Sequence, residues 1–557
     1  MKGIIALVLT AALLLTGCSA GGQEDTSEAT TEASVETEVV ESLGLEEKWP
    51  GYVRIRLNNN ETTVDYPDGC GVEAGSVVTG GDIVYYEEGH DFTYGEGDEA
   101  DAHSADEANA HTVVTITQPG TYVLAGQMEA GQVAVDLGEE AETDPEAVVT
   151  LILDNVDITC TVAPAVIFYN VYECGSADAE TATYEVDTTG AGANVILADG
   201  SVNNIYGSYV ARIYEADSVV LSEDGTEVAD AKKLHKYDAA IYSKMSMNLD
   251  GNDGVLNITA ENEGLDTELH LTVNGGNIHI TSGNDGINTN EDGVSVTTVN
   301  GGKLNIAVEG STGEGDGIDS NGWLVINGGT VTSAACSTSG DAGIDSEMGI
   351  YINGGTVLAT GNMLDRIAGG DQTYAVFTFA QSQSGGSAYT LKNAEGNEVL
   401  THTPVNDFTY LIIAGDGLTE GDYTFYRGET QLSAVSGEGS GGMMPGGQMR
   451  FGMEGFQQME GAEGEMPEQM ERPRDEMPED MTIPEGEMGE AMTPPEGMEK
   501  PEGQAPEDMG EMGEMPEGGF GGGRGQMGAM AQMGESSTTF PIAQGANYFS
   551  NVAEAAQ

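Results

Sequence analysis

Acidic side chains recur at short turns in the middle of the chain, in an arrangement suited to binding metal cations. One carboxylate precedes a glycine and a second polar group follows the next apolar residue, as in Asp316-Gly317-Ile318-Asp319. The pattern occurs four times, the last time with an inserted alanine. The predicted ligands are Glu263, Asp266, Asp285, Asn288, Asp316, Asp319, Asp341 and Asp345. Oxygen ligands without histidine or cysteine favour Ca²⁺, which takes about six to eight oxygens, over Zn²⁺ or Cu²⁺.

These turns alternate with strands that end in Asn-Gly-Gly, and the spacing predicts a stack of similar repeats. The asparagines of the four copies are 26, 27 and 26 residues apart. A period of this size is typical of solenoids, in which each repeat buries its apolar face on the next. The asparagines are Asn274, Asn300, Asn327 and Asn353, and we expect them to form a hydrogen-bonded ladder.

Stacking would also align the acidic residues in two rows. The first row is Glu263, Asp285, Asp316 and, shifted by the insertion, Asp341; the second row is Asp266, Asn288, Asp319 and Asp345. Neighbouring strands lie about 4.8 Å apart, and carboxylates at that distance repel one another unless a cation lies between them. The alternative is an acidic edge that is simply solvated.

The residues around each Asn-Gly-Gly predict strands rather than helices. Leu269, Leu271 and Val273 alternate with His270 and Thr272, which is the period of a strand with one buried face. The paired glycines permit a positive φ at a tight corner. Because no helical period separates the strands, we predict an all-β fold, a right-handed parallel β-helix with a C-terminal β-hairpin cap and a disordered tail.

Composition limits the partners of this chain of 557 residues. It carries 94 acidic and 18 basic residues, with a formal net charge of −76. Such a chain cannot neutralise phosphates, which excludes nucleic acid as a partner. Direct electrostatic binding to anionic lipids or other polyanions is also disfavoured.

The N-terminus predicts export and attachment to a membrane. Lys2 precedes a short apolar stretch at residues 4–15, as in a signal peptide. The following Leu15-Thr16-Gly17-Cys18 resembles the lipobox of bacterial lipoproteins, in which the cysteine is lipidated after cleavage. We therefore expect an outward-facing cell-membrane lipoprotein anchored through Cys18, the alternative being an ordinary signal peptide with an incidental cysteine. Of the other cysteines, Cys160 and Cys174 could pair, with buried free thiols as the alternative.

Composition shifts along the chain predict its organisation. Residues after Gly439 are dominated by Gly, Met, Glu and Pro, which cannot build a core. Apolar residues return near the C-terminus, either as a docking peptide or as a segment that pairs with the body. The expected boundaries are 1–17 signal peptide, 18–48 acidic tether, 49–373 β-helix with N-terminal strands, 374–436 C-terminal β cap, 437–534 disordered tail and 535–557 short docking segment.

At the turns, the strand ends and the segments 240–244 and 252–258, the chain resembles a bacterial family of calcium-binding carbohydrate-binding β-helix proteins, related in fold to pectate lyases. The resemblance covers about residues 112–428 and ends in terminal hairpins around Tyr423-Thr424-Phe425. It implies calcium-dependent binding of acidic polysaccharide, notably polygalacturonate and in some members cellulose, without clear lyase activity. Asn288 and the insertion at Ala342 depart from a uniform Asp-Gly-Ile-Asp pattern, so the number of metal ions is open.

Three functions remain to be distinguished. We expect non-catalytic binding of acidic plant or cell-wall polysaccharide, bridged by Ca²⁺ on the acidic edge. The first alternative is a calcium-stabilised structural protein or adhesin. The second is a pectate-lyase-like enzyme, which needs a base; Lys244, Lys303 and Arg366 are the few candidates. Trp323 and Tyr351 are candidate sugar-stacking residues, although each can serve packing alone.

Overall fold

The computed structural model describes residues 44–437 and 535–556. The predicted signal peptide, Cys18, most of the tether and residues 438–534 lie outside this range. The fold is predominantly β. Two short α-helices and two 3₁₀ helices are α1 Leu45–Lys48, α2 Ala105–Ala108, Glu139–Thr143 and Ala216–Ser218. No helix among the residues described is long and apolar enough to cross a membrane.

The strands are short and follow one another through turns. Their bounds are β1 Val53–Leu57, β2 Thr63–Asp65, β3 Val77–Gly80, β4 Thr112–Ile116, β5 Gly120–Met128, β6 Gly131–Asp136, β7 Val149–Cys160, β8 Val166–Asn170, β9 Ala193–Leu197, β10 Val202–Gly207, β11 Val220–Leu221, β12 Val228–Asp230, β13 Ala239–Ser243, β14 Met247–Gly251, β15 Val255–Ala260, β16 Glu263–Thr267, β17 His270–Val273, β18 Asn277–Ser282, β19 Ile287–Thr289, β20 Val296–Val299, β21 Lys303–Val308, β22 Ile318–Ser320, β23 Trp323–Ile326, β24 Thr330–Ala334, β25 Gly349–Ile352, β26 Thr356–Gly361, β27 Ile367–Gly369, β28 Tyr374–Gln383, β29 Tyr389–Asn393, β30 Glu398–His402, β31 Phe408–Ala414, β32 Gly421–Arg427, β33 Thr430–Ser436, β34 Phe540–Ile542 and β35 Ala546–Glu554.

Most strands before the cap pair in three ladders of parallel strands, and β2, β3, β11 and β12 form antiparallel pairs. The first ladder runs β1, β5, β7, β9, β14, β17, β20, β23, β25 and β27. The second runs from the end of β7 through β10, β15, β18, β21, β24 and β26. The third, which carries the acidic turns, runs β4, β6, β8, β13, β16, β19 and β22. From β8 to β24 each repeat supplies one strand to each ladder, in chain order, whereas the repeat of β25 and β26 has no strand in the third.

Apolar side chains of equivalent positions stack along the ladders to form the interior. On the third ladder, Leu265, Ile287 and Ile318 are successive Cα partners and each is fully buried. The other two ladders contribute stacks of the same kind: Val273, Val299 and Ile326 on the first, and Ile278, Leu304 and Val331 on the second.

The predicted alternation of buried and outward residues holds on the second ladder, as in β18 and β21. It is wrong at β17, where His270 and Thr272 are only 4% and 5% exposed, because the segment between β8 and β9 covers this face and Thr188 Oγ1 donates to Thr272 Oγ1 at 2.7 Å.

The Asn-Gly-Gly strand ends form tight corners and also link adjacent repeats by hydrogen bonds. The second glycine of each copy has a positive φ, between 76° and 91°, as predicted; these are Gly276, Gly302, Gly329 and Gly355. The asparagines form the expected ladder, because each amide Nδ2 donates to the Oδ1 of the preceding asparagine at 2.9, 2.9 and 2.8 Å. Hydrogen bonds between side chains thus continue the stack beyond the strand ends.

The cap closes the stack with antiparallel strands. β31 pairs with β26 and with β28, and β29, β30, β32 and β33 add further antiparallel pairs. The C-terminal strands belong to the same sheet: β34 pairs with β32, and β35 lies between β28 and β33. Of the two alternatives for the C-terminal segment, pairing with the body is the one observed. Cys70, Cys160, Cys174 and Cys336 all carry free thiols.

Candidate metal centre

The second predicted row of acidic residues lies in register on the third ladder. Asp266 of β16, Asn288 of β19 and Asp319 of β22 are successive Cα partners in parallel pairs. The next repeat continues the row without a regular strand, because the Asp345 amide donates to the Ile318 carbonyl at 2.7 Å. The structure therefore places these four side chains one above another.

The first row begins as predicted, and the inserted residue changes its end. The amides of the turn glycines Gly264, Gly286 and Gly317 donate to the carbonyls of Asp285, Asp316 and Ala342, each at 3.0 Å. Ala342 rather than Asp341 therefore occupies the position equivalent to Asp316. Asp341 is displaced by one residue, and its Oδ2 accepts a bond from the Gly315 amide at 2.6 Å.

The turn glycines are required because a Cβ would not fit, and not because the backbone has a positive φ. None of Gly264, Gly286 and Gly317 has a positive φ. A Cβ at Gly286 would lie 2.2 Å from Cγ2 of Ile306, and one at Gly264 would lie 2.4 Å from Cγ2 of Ile280. These glycines are therefore required because the backbone here lies against core side chains of the second ladder.

Carboxylates of the first row also hold the next repeat in place. Oδ1 of Asp285 accepts a hydrogen bond from the Asp316 amide at 2.6 Å, and Oδ1 of Asp316 accepts one from the Ala342 amide at 2.5 Å. One oxygen of each side chain is therefore used to join adjacent repeats. The second oxygen of each remains a potential ligand.

At the N-terminal part of the rows, buried acceptors lack hydrogen-bond partners. Glu263 is 5% exposed and Asp266 is fully buried. One oxygen of each is satisfied, by Asn288 Nδ2 at 3.2 Å and by Asn290 Nδ2 at 2.7 Å. Glu263 Oε2, Asp266 Oδ2 and Asn288 Oδ1 have no hydrogen-bond partner among the described residues. Leaving such acceptors unsatisfied costs free energy, and cations bound beside them would offset that cost.

Burial and mutual repulsion disfavour ionisation in the absence of a cation. Desolvation is the main cause that raises the pKa of Glu263, Asp266 and Asp285 well above the ordinary carboxyl range, and neighbouring carboxylates add to it. The same desolvation, followed by Asp345 and then Asp285, raises the pKa of Asp316 to about 10. A divalent cation would reverse this by favouring the charged forms.

At the C-terminal part of the rows the distances suit a single ion. Carboxylate oxygens of Asp316, Asp319 and Asp345 all lie within 4.8 Å of one another. Two oxygens bound to one Ca²⁺ at about 2.3–2.6 Å lie no more than about 5 Å apart. These three residues therefore fit an oxygen-ligated cation of this size.

Sequence reasoning missed the charged groups at the start of the acidic rows. Arg212 Nη2 pairs with Asp238 at 2.9 Å, and Lys236 Nζ lies 3.7 Å from Glu268. Positively charged side chains therefore pair with carboxylates at this end of the rows. The sequence did contain a signal for Asp238, because residues 238–241 (Asp-Ala-Ala-Ile) have the same spacing as residues 341–344 (Asp-Ala-Gly-Ile). Arg212 lies in the irregular segment between β10 and β11, where the sequence has no periodicity that could have indicated its position.

The aromatic candidates lie on the first ladder, away from the acidic rows. Trp323 is 9% exposed and packs with Val296. Ala182 and Val186 pack against the same cluster. Tyr351 stacks on Tyr184 with ring centroids 4.1 Å apart. Trp323 therefore offers little ring surface on which a sugar could stack.

Two of the three candidate bases are held by other contacts. Lys244 Nζ lies 2.7 Å from Glu142, and Arg366 donates from Nη2 to the Met348 carbonyl at 2.8 Å.

Comparison with known proteins places the repeats within one family. The family model described as carbohydrate-binding domain-containing protein matches residues 110–357 and 175–403, together a little over half of the chain. A carbohydrate-binding domain-containing protein of Acetivibrio thermocellus is 30% identical over 165 residues, which cover 29% of this chain and 43% of that protein. The matched region is thus less than half the length of that relative.

Among solved structures, the polysaccharide lyase-like protein from C. thermocellum, as a gadolinium derivative, is similar at 20% identity with a TM-score of 0.31. The match covers 57% of this chain and 95% of that one. At this TM-score the likeness supports no conclusion about fold or activity. The family match over more than half of the residues does support a conclusion, and the chain belongs to the family of carbohydrate-binding domain-containing proteins.

Proposed function

We propose that the protein binds acidic polysaccharide of the polygalacturonate type, in a calcium-dependent and non-catalytic manner, at the outer surface of a bacterial cell to which Cys18 anchors it. The observation that carries this proposal is the pair of acidic rows, in which buried carboxylate and amide oxygens lack hydrogen-bond partners. Membership in a carbohydrate-binding family supports the class of ligand. The charge and chemistry of the rows support the acidic type.

We infer further that the three ladders are the faces of a right-handed parallel β-helix. Parallel pairing between consecutive repeats, with one strand per ladder, supports this arrangement. A solenoid of this kind repeats its surface at the strand spacing of about 4.8 Å. It therefore presents equivalent ligands at regular intervals along one edge, which suits a polymer of repeating charged units.

Two groups of side chains would hold Ca²⁺. Glu263, Asp266 and Asn288 supply the buried oxygens without partners, and Asp316, Asp319 and Asp345 supply the cluster within 4.8 Å. Asp285 lies between them, as the electrostatic effect of Glu263 and Asp319 on its pKa indicates. The bound ion would supply positive charge and open coordination positions for oxygens of the polysaccharide.

The role of the ion follows from the charge of the protein. A chain with a formal charge of −76 repels a polyuronate at long range. A calcium ion bound to both protein and uronate carboxylates would offset this repulsion, because carboxylates of both partners would be its ligands. Binding would then require calcium and would weaken in chelator.

Affinity electrophoresis of the whole exported chain through gels containing polygalacturonate tests the proposal. We expect retardation in calcium and free migration in chelator. Asp266→Asn and Asp319→Asn should each reduce the retardation, whereas Asp422→Asn, an equal change of charge on an exposed residue of the cap, should not. Equal mobility in every gel would refute polygalacturonate binding. A calcium-dependent rise in melting temperature without retardation would favour the structural alternative instead.

A further inference from the structure

The last described residues complete a core whose other parts lie about 100 residues earlier in the sequence. β35 pairs in parallel with β28 on one side and antiparallel with β33 on the other, while β34 pairs with β32. The segment is therefore an internal member of the cap sheet. The cap cannot be complete without it.

The segment contributes large apolar side chains to that core. Phe540 is fully buried, and Ile542, Phe549 and Val552 are 3%, 2% and 1% exposed. Phe549 stacks on Phe377 with ring centroids 5.3 Å apart. Without the segment, β28 and β33 would each have an unpaired edge, and the apolar side chains beneath would be uncovered. A sheet edge of this kind can pair with an added strand.

The connection to the segment does not determine which cap it must fill. Ala434 and Ser537 exchange backbone hydrogen bonds of 2.9 and 2.8 Å, so the connecting residues leave and return at one place. About 100 residues join these points, and a chain of that length reaches up to roughly 330 Å. This is far more than is needed to reach the cap of an adjacent molecule.

We propose that residues 535–556 are an exchangeable strand pair, and that the groove between β28 and β33 binds this segment from a second copy of the chain as well as from its own. The contacts are identical in both cases, because an exchanged element reproduces the native pairing. Copies held close together on one surface would be joined in this way.

The balance between the two states depends on protein concentration. Exchange joins two chains, whereas the closed form needs only one, so the exchanged share rises with concentration by mass action. While that share is small, a tenfold increase in concentration should raise it about tenfold.

Cross-linking between two populations of the full chain tests the proposal. One carries Ser433→Cys and the other Ala553→Cys, because Ser433 and Ala553 are Cα partners in β33 and β35. Both carry Cys18→Ser and different tags, and they are unfolded, mixed, refolded and oxidised. We expect a disulfide-linked heterodimer that rises about tenfold between 0.03 and 0.3 mM. The matched control replaces Ser433→Cys by Asn397→Cys, an exposed residue between β29 and β30.

A chain that carries both Ser433→Cys and Ala553→Cys provides the second measurement. It should close on itself at every concentration, since the two positions face each other in one molecule. If this chain closes while the mixed populations give no more heterodimer than the control, exchange does not occur and the proposal is wrong. If the disulfide does not form within this chain, β35 does not occupy the groove as described, and the proposal is also wrong.

Discussion

Replacing Asp316 by asparagine should stabilise the protein in chelator and weaken its response to calcium. Burial, Asp345 and Asp285 raise the pKa of Asp316 to about 10. At neutral pH the folded state must therefore keep a proton on this carboxyl or accommodate an unfavourable charge. Asparagine has no charge, and its side-chain oxygen can still accept the bond that the Ala342 amide donates to Oδ1.

The magnitude follows from the difference in pKa between the folded and unfolded states. A group with a raised pKa stabilises the folded state fully below its unfolded pKa, near 3.8, and this contribution is lost as pH rises toward 10. At pH 7 the loss is up to about 4 kcal/mol, at 1.36 kcal/mol per pH unit. Unfolding roughly 400 residues has an entropy of about 0.9 kcal/mol/K, so Asp316→Asn should raise the melting temperature by up to about 5 °C.

Thermal melts of the wild-type protein, Asp316→Asn and Asp422→Asn at pH 7 measure the effect, each in chelator and in calcium. Calcium at 1,000 times its Kd stabilises by about 4 kcal/mol, and the variant should lose most of that gain. The difference between the first two melting temperatures should therefore nearly disappear on adding calcium, while Asp422→Asn follows the wild type. A lower melting temperature for Asp316→Asn in chelator, or equal calcium shifts in both proteins, would refute the reasoning.

Three further outcomes can be checked by thermal melts. In chelator the wild-type melting temperature should fall between about pH 4 and pH 8, because the unfolded chain loses carboxyl protons that the raised pKa values keep on the folded acidic rows, and a flat profile would contradict this. Gly286→Ala should cost about 1–3 kcal/mol, because its Cβ would lie 2.2 Å from the Ile306 side chain, whereas Gly340→Ala, with open space around it, should be neutral. Phe549→Ala should cost about 3–5 kcal/mol, while Phe92→Ala, at a residue 47% exposed, should change stability by less than about 0.5 kcal/mol.

The regular part of the fold could be predicted because its physical causes repeat in the sequence. The spacing of Asn274 and its equivalents implied register, and register brought Asp266, Asn288 and Asp319 together. The asparagine ladder and the positive φ of Gly276 followed from residue type alone.

Features that depend on contacts distant in sequence could not be predicted. Nothing local marks Arg212 as the partner of Asp238, because it enters from an irregular excursion. The placement of Ala342 in the first row required the hydrogen-bond pattern, since an insertion can be absorbed on either side of a turn. Burial of Trp323 depended on residues 182–186, which pack against it from an earlier part of the chain.

The division of the cap between two stretches of sequence has a consequence for proteolysis. A single cut anywhere in residues 438–534 would leave a C-terminal piece whose strands stay paired with β28, β32 and β33. The nicked protein would separate into two bands on a denaturing gel and yet behave as one particle under native conditions. A protease could thus shorten or remove the acidic connection without releasing the body from its C-terminus, so intact chain length would be a poor measure of intact structure.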